Sequence, residues 1–296
     1  MNFVYSNMEL RELKYFIKAA ELQNFTEASA QLFITQSTLS QQIKQLEEEL
    51  GIPLFDRIAK RVYLTEAGKT FSPFAQKTVA DAEAGKIMLN DLMNLNTGNL
   101  SVGLTYGLSH LLTNALLHFT AKYPKIHIQV CFGTTKELLT QLEDGKLDFI
   151  LSFYEAKEKD NFSSDILFTS NLALIVGKQN PLYSRKKIQI TDLPKIPIIL
   201  PSNDYSIRNY MNEILESQDV SLNVQMEIND INMLLHIVEK GASATILMQT
   251  SLFNHPSLKA ITLSGANLKR NGTITWKKEI YRKKAAKLLA ELLSKV

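Results

Sequence analysis

Cysteine is almost absent from this 296-residue chain, which carries only Cys131. With one thiol no intramolecular disulfide can close. Stability has to come from packing, a reducing cytoplasm is the default compartment, and a redox sensor of two cysteines in one chain is excluded. Long apolar runs are missing as well. Stretches such as Ile196 to Pro201 fall far short of the roughly 20 residues that cross a bilayer, so no membrane partner is expected. The opening MNFVYSNMELRELKYF has neither the basic start nor the uninterrupted apolar core of a signal peptide. The five histidines (His110, His118, His127, His236, His255) show no metal-ligand spacing. No GxSxG elbow, phosphate loop or dinucleotide fingerprint occurs. A metal, a cofactor and a catalytic role are therefore not expected.

A strong charge imbalance is also lacking. The net charge is +3, and much of the excess lies between Lys277 and Lys295. Residues 1–64 hold seven basic side chains (Arg11, Lys14, Lys18, Lys44, Arg57, Lys60, Arg61) against eight acidic ones. Any case for nucleic acid must rest on where charges sit, not on their sum. What the chain does have is 45% hydrophobic content and length for two or three domains with real cores.

The most informative stretch runs from Leu22 to Leu64. Thr26 is a helix N-cap candidate, with Glu27 in the first turn. Phe33, Ile34 and Thr35 make a turn. A second helix is predicted from Gln36 to Leu50, stopped by Gly51 with Pro53 beyond. Leu39, Ile43, Leu46 and Leu50 form its apolar stripe. Gln36, Ser37, Ser40, Gln41 and Lys44 fall on another face, and Thr35 to Ile43 contains no acid. Amides and hydroxyls read base edges; ammonium groups hold phosphates. Taken alone this is equally an ordinary amphipathic surface helix. Arg57, Lys60 and Arg61 follow in a short hairpin, and a basic hairpin after a polar-faced helix is what a winged DNA-binding module needs.

The run from Met8 to Gly68 resembles the N-terminus of LysR-type transcriptional regulators. The landmarks are Leu13 and Phe16, Phe25-Thr26 with Ala28 and Ala30, Gln36-Ser37, Leu39-Ser40, Ile43, Leu46-Glu47, Leu50-Gly51, Leu54-Phe55, Arg57, Leu64-Thr65 and Ala67-Gly68. They span about the first fifth of the chain. One departure is Gln41, which stands where many members carry Arg.

Before the turn, Glu9 to Glu21 reads as a first helix, with Leu10, Leu13, Ile17 and Ala20 buried and Phe16 beside them. After the hairpin, Thr65 caps a helix reaching about Leu95, with a kink or restart expected near Ser72 because Pro73 removes a backbone donor. Phe71, Ala75, Val79, Ala82, Leu89 and Leu92 form a loose seam. It either packs on its own chain or pairs two heads; so long a helix between domains favours pairing, and the resemblance implies the same.

Asn96-Thr97-Gly98-Asn99 marks the boundary to a region of alternating strands and helices. Strands are expected at Leu100–Leu104, Ile126–Phe132, Leu147–Phe153, Leu172–Val176, Ile196–Leu200, Thr245–Met248, Ala260–Leu263 and Thr273–Lys277. Helices are expected at Leu108–Tyr123, Thr135–Gly145, Ser206–Ser217, Ile231–Lys240 and Tyr281–Lys295. The βαβαβ rhythm argues a parallel sheet covered by helices. The order resembles the LysR effector domain, whose architecture is that of periplasmic solute-binding proteins, through Asn99 to Gly103, Leu142, Gly145, Leu147-Asp148, Ile150, Gly241 and Ala244. The resemblance implies two α/β lobes, lobe I at about 99–168 and 268–296 and lobe II at about 169–267.

The expected whole is an α+β multidomain chain: a winged helix-turn-helix at 1–64, a linker helix at 65–97, and a two-lobed effector domain at 98–296. DNA-facing candidates are Gln36, Ser37, Ser40 and Gln41 at bases, with Thr26 and Thr38 beside them, and Lys44, Arg57, Lys60 and Arg61 at phosphates. Effector candidates follow strand ends: Thr105, Tyr106 and Ser109; Gly133, Thr134 and Thr135; Ser202, Asn203 and Ser206. Each alone could be just a helix cap; together they make an anion-binding cleft. Arg208 is the nearest cation. Cys131 is expected in the core, His118 and His236 in structural roles on helices, and Trp276 in packing. The function expected is a cytoplasmic, effector-responsive transcription regulator. Its partners would be a two-fold DNA operator, a small molecule, and its own copies in a homodimer or homotetramer. The rivals are a binding or catalytic α/β protein whose first helices serve assembly, and a nucleoid-type architectural protein.

Overall fold

A computed structural model describes residues 8–58, 61–93, 98–253 and 255–294. Its contacts divide into two units, residues 1–90 and 91–296.

The first unit begins with α1 (Leu10–Leu22), whose start is closed by a capping box between Glu9 and Glu12. Its buried face is Leu13, Phe16 and Ala19, not the expected row through Ile17 and Ala20, which are half-exposed. Phe16 decides the phase, packing its ring 5.3 Å from both Phe55 and Phe71. The next helix, α2 (Phe25–Gln31), is capped by Asn24 and not by Thr26. The hairpin explains the shift: Val62 donates its N–H to the Gln23 carbonyl, and Gln23 is left-handed (φ 50°). The chain therefore turns into the helix two residues early, and the Asn24 carboxamide accepts from the N–H groups of Thr26 and Glu27.

Helix α3 (Gln36–Leu50) lies where the sequence places it. Thr35 caps it and Gly51, at φ 71°, ends it. Leu39, Ile43 and Leu46 are fully buried, while Leu50 is on the surface. Strands β1 (Phe55–Ile58) and β2 (Arg61–Leu64) pair antiparallel as the wing. Helix α4 (Glu66–Met93) is continuous through Pro73, with no restart at Ser72. Thr65 opens it by accepting from the Gly68 N–H at 3.0 Å. A Cβ at Gly68 would lie 2.2 Å from the Leu54 carbonyl oxygen, so only glycine lets α4 seat here. Phe71, Ala75 and Val79 pack into the core of this same unit. That part of the expected seam is consumed within one chain. Leu89 of the expected seam is exposed, as are Phe74 and Met88 outside it, and the Leu92 side chain lies outside the described residues.

The second unit opens with β3 (Gly98–Leu104), a 3-10 turn at Tyr106–Leu108, α5 (Ser109–Lys122), β4 (Ile126–Phe132), α6 (Thr135–Glu143) and β5 (Phe149–Ser152). Strands β4, β3 and β5 are parallel. Next come β6 (Phe162–Gly177), β7 (Lys187–Gln189), β8 (Pro197–Pro201), α7 (Ser206–Ser217), β9 (Asn223–Ile228) and α8 (Ile231–Lys240). The chain ends with β10 (Ala244–Met248), β11 (Leu258–Ser264), β12 (Lys269–Lys277) and α9 (Lys284–Leu293). Lys295, the expected end of α9, and Asn96-Thr97 at the expected boundary lie outside the described residues.

The sheet is mixed, not parallel throughout. Its order is β4-β3-β5-β12-β6-β10-β8-β9. The first half of β6 pairs antiparallel with β12, and the second half with β10 and β11. One strand thus belongs to two half-sheets and joins them. At the β12 bulge a Cβ on Gly272 would lie 2.4 Å from the Phe168 ring, so this crossing also depends on a glycine. Trp276 is buried as expected, against Phe149. Cys131 is half-buried on the outermost strand, not in the core. His118 and His236 are exposed on their helices. The C-terminal cations are mostly tied down: Lys283 pairs with Asp148 at 2.9 Å, and Arg282 stacks 4.6 Å from the Trp276 ring.

Candidate functional site

Two surfaces gather the chemistry, one in each unit. On the first, α3 exposes Gln36, Ser37, Thr38, Gln41 and Lys44, and half-exposes Ser40. The Thr35 hydroxyl lies 2.9 Å from that of Ser37 and 2.8 Å from that of Thr38. These hydroxyls are held in place at the helix start. The carboxamides of Gln36 and Gln41 have no side-chain partner among the described residues. Arg57 donates to the Ser40 hydroxyl at 3.2 Å, and its guanidinium lies 5.2 Å from the Phe25 ring centroid. The wing is thereby fastened to the helix beside it. Arg61 is exposed on β2 and Thr26 on α2. Lys60 lies outside the described residues.

Two of the three acids of α3 are held by backbone groups, and the third pairs with Lys44. Glu47 accepts the backbone N–H groups of Leu54 at 2.7 Å and Phe55 at 3.0 Å, fixing the entry to the wing. Glu48 pairs with Lys44 at 3.2 Å, and Glu49 accepts from the Met8 N–H. Sequence reasoning did not single out Phe33, which is 95% exposed in the turn and left-handed (φ 56°).

The second surface is a cleft of about 1660 Å³ in the C-terminal unit. Tyr106, Ser109, Gly133, Thr134, Thr135, Ser202, Asn203 and Ser206 all line it. Thr105 does not; it sits behind, with its hydroxyl buried and unpaired among the described residues. Two contacts span the cleft. The Thr135 hydroxyl donates to that of Ser206 at 3.1 Å, and the Tyr106 hydroxyl lies 3.0 Å from Nε2 of His255.

Helix starts converge here. The α6 start is closed by the Thr134–Glu137 box and the α8 start by Asp230. The α7 start has Tyr205 in the cap position and no side-chain cap. Beside it the Ser202 hydroxyl is buried without a partner among the described residues. An uncapped helix start with a free hydroxyl favours an anion. Arg208 cannot serve it. That side chain is buried, donating to Glu227, the Pro201 carbonyl and Asn212. The cations actually near are Lys136, which lines the cleft, and Arg270 on β12. Arg270 donates to the Ser206 and Phe153 carbonyls and stacks on Tyr210 at 4.9 Å.

Further lining residues escaped the sequence, among them His110, Tyr205, Asp230, Phe253 and His255. Asp230 caps α8 just as Thr134 caps α6, so the same rule would have found it. Phe253 and His255 follow a short 3-10 turn and carry no sequence signal. Burial holds the His110 imidazole below its ordinary pKa; its ring stacks 5.0 Å from Phe253 and its Nδ1 is unpaired among the described residues. Burial, followed by the charge of Asp230, pushes the Tyr106 and Tyr205 hydroxyls up, so both stay protonated donors. No cluster of three or more metal-ligating side chains occurs among the described residues. No described helix is long and apolar enough to cross a membrane.

Comparison with known proteins bears on both surfaces. Residues 10–69 match the family model of the bacterial regulatory helix-turn-helix protein, lysR family, and residues 94–296 match the LysR substrate binding domain. A probable RuBisCO transcriptional regulator of Thalassiosira pseudonana is 30% identical over 287 residues, covering 93% of this chain and 94% of the relative. The HTH-type transcriptional activator CmpR of Synechocystis is 29% identical, covering 92% and 90%. Among solved structures, a full-length OxyR variant from Pseudomonas aeruginosa superposes with a TM-score of 0.73 at 22% identity, over 97% of this chain and 95% of that one. Full-length CbnR bound to its target DNA gives 0.62 at 21% identity, over 97% and 99%.

Proposed function

Starting from the premise that the chain belongs to the LysR family of transcription regulators, we propose which of its residues do the reading and the sensing. The protein is a DNA-binding regulator with an effector-binding domain, it works as an oligomer, and it is not an enzyme.

On DNA, Gln36, Ser37, Thr38, Ser40 and Gln41 face bases in the major groove. Lys44, Arg57, Lys60 and Arg61 hold phosphates, with Thr26 at the backbone beside them. One observation carries this reading: α3 presents the carboxamides of Gln36 and Gln41 with no intramolecular side-chain partner among the described residues, while Glu47 and Glu49 accept backbone N–H groups and Glu48 pairs with Lys44. Gel-shift titration against the DNA upstream of the protein's own reading frame tests it. Lys44→Ala should weaken binding to every sequence alike and reduce the salt slope by about one. Gln36→Ala should cost about 1–3 kcal/mol on the operator only. Equal losses on operator and scrambled DNA for both variants would discard the base-reading role.

The exposed Phe74, Met88 and Leu89 of α4 are the surface for a homodimer, extending to a homotetramer. Two heads so paired suit a two-fold operator. In the C-terminal unit a small anionic effector sits in the cleft, its carboxylate on the open α7 start with Ser202 and Ser206 and its body against Phe253. Tyr106, Ser109, Gly133, Thr134 and Thr135 complete the opposite wall, and Thr105 supports it from behind. We place the domain limits at 1–64, 65–97 and 98–296, with the lobe exchange near 168 and 268, and the site of action in the cytoplasm.

A further inference from the structure

Sharing no lining residue with the cleft, the stretch from Asn180 to Pro197 folds around a second concavity of about 730 Å³. That size suits one small molecule. Its floor is apolar: Leu182 and Ile188 are half-buried side chains on the margin of the main core, and Ile196 is 7% exposed. Its rim is cationic. Arg185, Lys187 and Lys195 all line it, and none has a side-chain hydrogen bond or ion pair among the described residues. Other cations of this unit contrast with them, Arg208 being paired with Glu227 and Lys283 with Asp148. Asp192 is the one carboxylate on the rim, leaving an excess of positive charge over an apolar floor. Low-dielectric walls bearing one sign of charge focus the field into the concavity. A run of basic residues is ordinarily just a solvated face; here the run borders a preformed hollow whose floor is apolar.

We propose that this hollow is a second ligand site, separate from the cleft, and that it takes an amphipathic carboxylate: an acyl or aryl acid whose apolar body covers Leu182, Ile188 and Ile196. The planar guanidinium of Arg185 matches a carboxylate in bidentate fashion, and Lys187 and Lys195 add point charges. The apolar floor rejects sugar phosphates and other fully hydrated anions, which would lose water there without a partner. The backbone around the rim is already set. Asn180 accepts the Leu182 N–H at 2.9 Å, the Arg185 N–H donates to the Leu182 carbonyl at 2.8 Å, and β7 pairs with β11 through Lys187 to Gln189. A preformed rim of this kind lowers the ordering cost of binding.

Calorimetric titration of the full chain with octanoate, octyl phosphate and octanol tests the site. Octanoate should bind, with its Kd raised at least tenfold by the triple exchange of Arg185, Lys187 and Lys195 to Gln. Ile188→Ser should raise it at least fivefold, and the cleft variant Ser202→Ala should leave it unchanged. All three cations are exposed, so the triple variant should melt as the parent does; if it does not, Arg185→Gln alone carries the charge test with a smaller rise. Octanol binding as tightly as octanoate would remove the anion requirement and overturn the proposal. So would octyl phosphate binding more tightly than octanoate, or a triple variant that titrates like the parent.

Discussion

In the head, the side chains proposed to meet bases leave one helix between Gln36 and Gln41, whereas the cleft draws on residues from Tyr106 to His255. The head holds its chemistry on an outward face, backed by Leu39, Ile43 and Leu46. The cleft holds its chemistry at the ends of strands and the starts of helices, inside a fold whose two half-sheets share β6. The difference teaches where a sequence speaks plainly. A helix face is a local pattern, so residues four apart already say which side is wet. A cleft is a product of topology, and its members become neighbours only once the sheet order exists.

The largest expected effect separates the two regions by stability. Leu39→Ala removes a fully buried side chain beneath the reading face, at a cost of about 2–5 kcal/mol. Scanning calorimetry of the full chain should show the head transition moving down sharply while the transition of the C-terminal unit stays put. Operator binding should be lost at temperatures where effector binding persists. A joint shift of both transitions would show that the two units do not fold as separate cores.

The same contrast governs what could be read in advance. Helix α3 was legible to the residue because the Leu39–Leu46 stripe and Gly51 are local signals, while Thr35, read only as a turn residue, proves to be its cap. Helix α2 was misplaced by its cap, since Asn24 and Thr26 are both good capping residues. The choice falls to the hairpin, through the Val62 to Gln23 hydrogen bond, which no local pattern contains. In the sheet, the buried end of β6 was read at Leu172–Val176, but Phe162 to Asn171 was missed. There the strand runs mostly through half-exposed and exposed residues with no clean alternation, and its one buried member is the polar Ser170. Strand β9 (Asn223–Ile228) was missed for the same reason; it is an outermost strand with no buried side chain. Eight of the nine effector candidates line one cleft, because strand-end hydroxyls before helices are local signals. Arg208 was misjudged because its partner Glu227 lies on β9, the unseen strand.

A pH titration sharpens the comparison further, because all five histidines lie in the C-terminal unit. Burial depresses the folded-state pKa of His110 below its ordinary value of 6.5. The unfolded chain therefore takes up the proton first as pH falls. The stability His110 contributes is complete above about pH 6.5 and is lost as pH falls through the depressed value. The melting temperature of the C-terminal unit should decline from pH 7 to 5.5, and His110→Gln should flatten that decline. The head, having no histidine, should hold steady over the same window. A head transition that moved as much would place the titrating group elsewhere.

The smallest effect concerns the turn of the head. Its three left-handed residues among those described all come at helix ends: Gln23 after α1, Phe33 after α2 and Gly51 after α3. Gly51 tolerates its φ of 71° because it has no Cβ, so Gly51→Ala should cost about 1 kcal/mol. Phe33 bears the same kind of strain at φ 56° and, at 95% exposure, gains almost nothing from burial. Phe33→Gly relieves the strain but loosens the unfolded chain. The net expectation is a gain of about 0.5 kcal/mol, or roughly 2–4 °C in the head transition. A fall instead would mean that Phe33 has a partner in the assembled protein, and its ring would then be followed by comparing the variant's melting with and without operator DNA. If the parent gains more from the operator than Phe33→Gly does, the aromatic ring belongs to the DNA interface alongside Gln36.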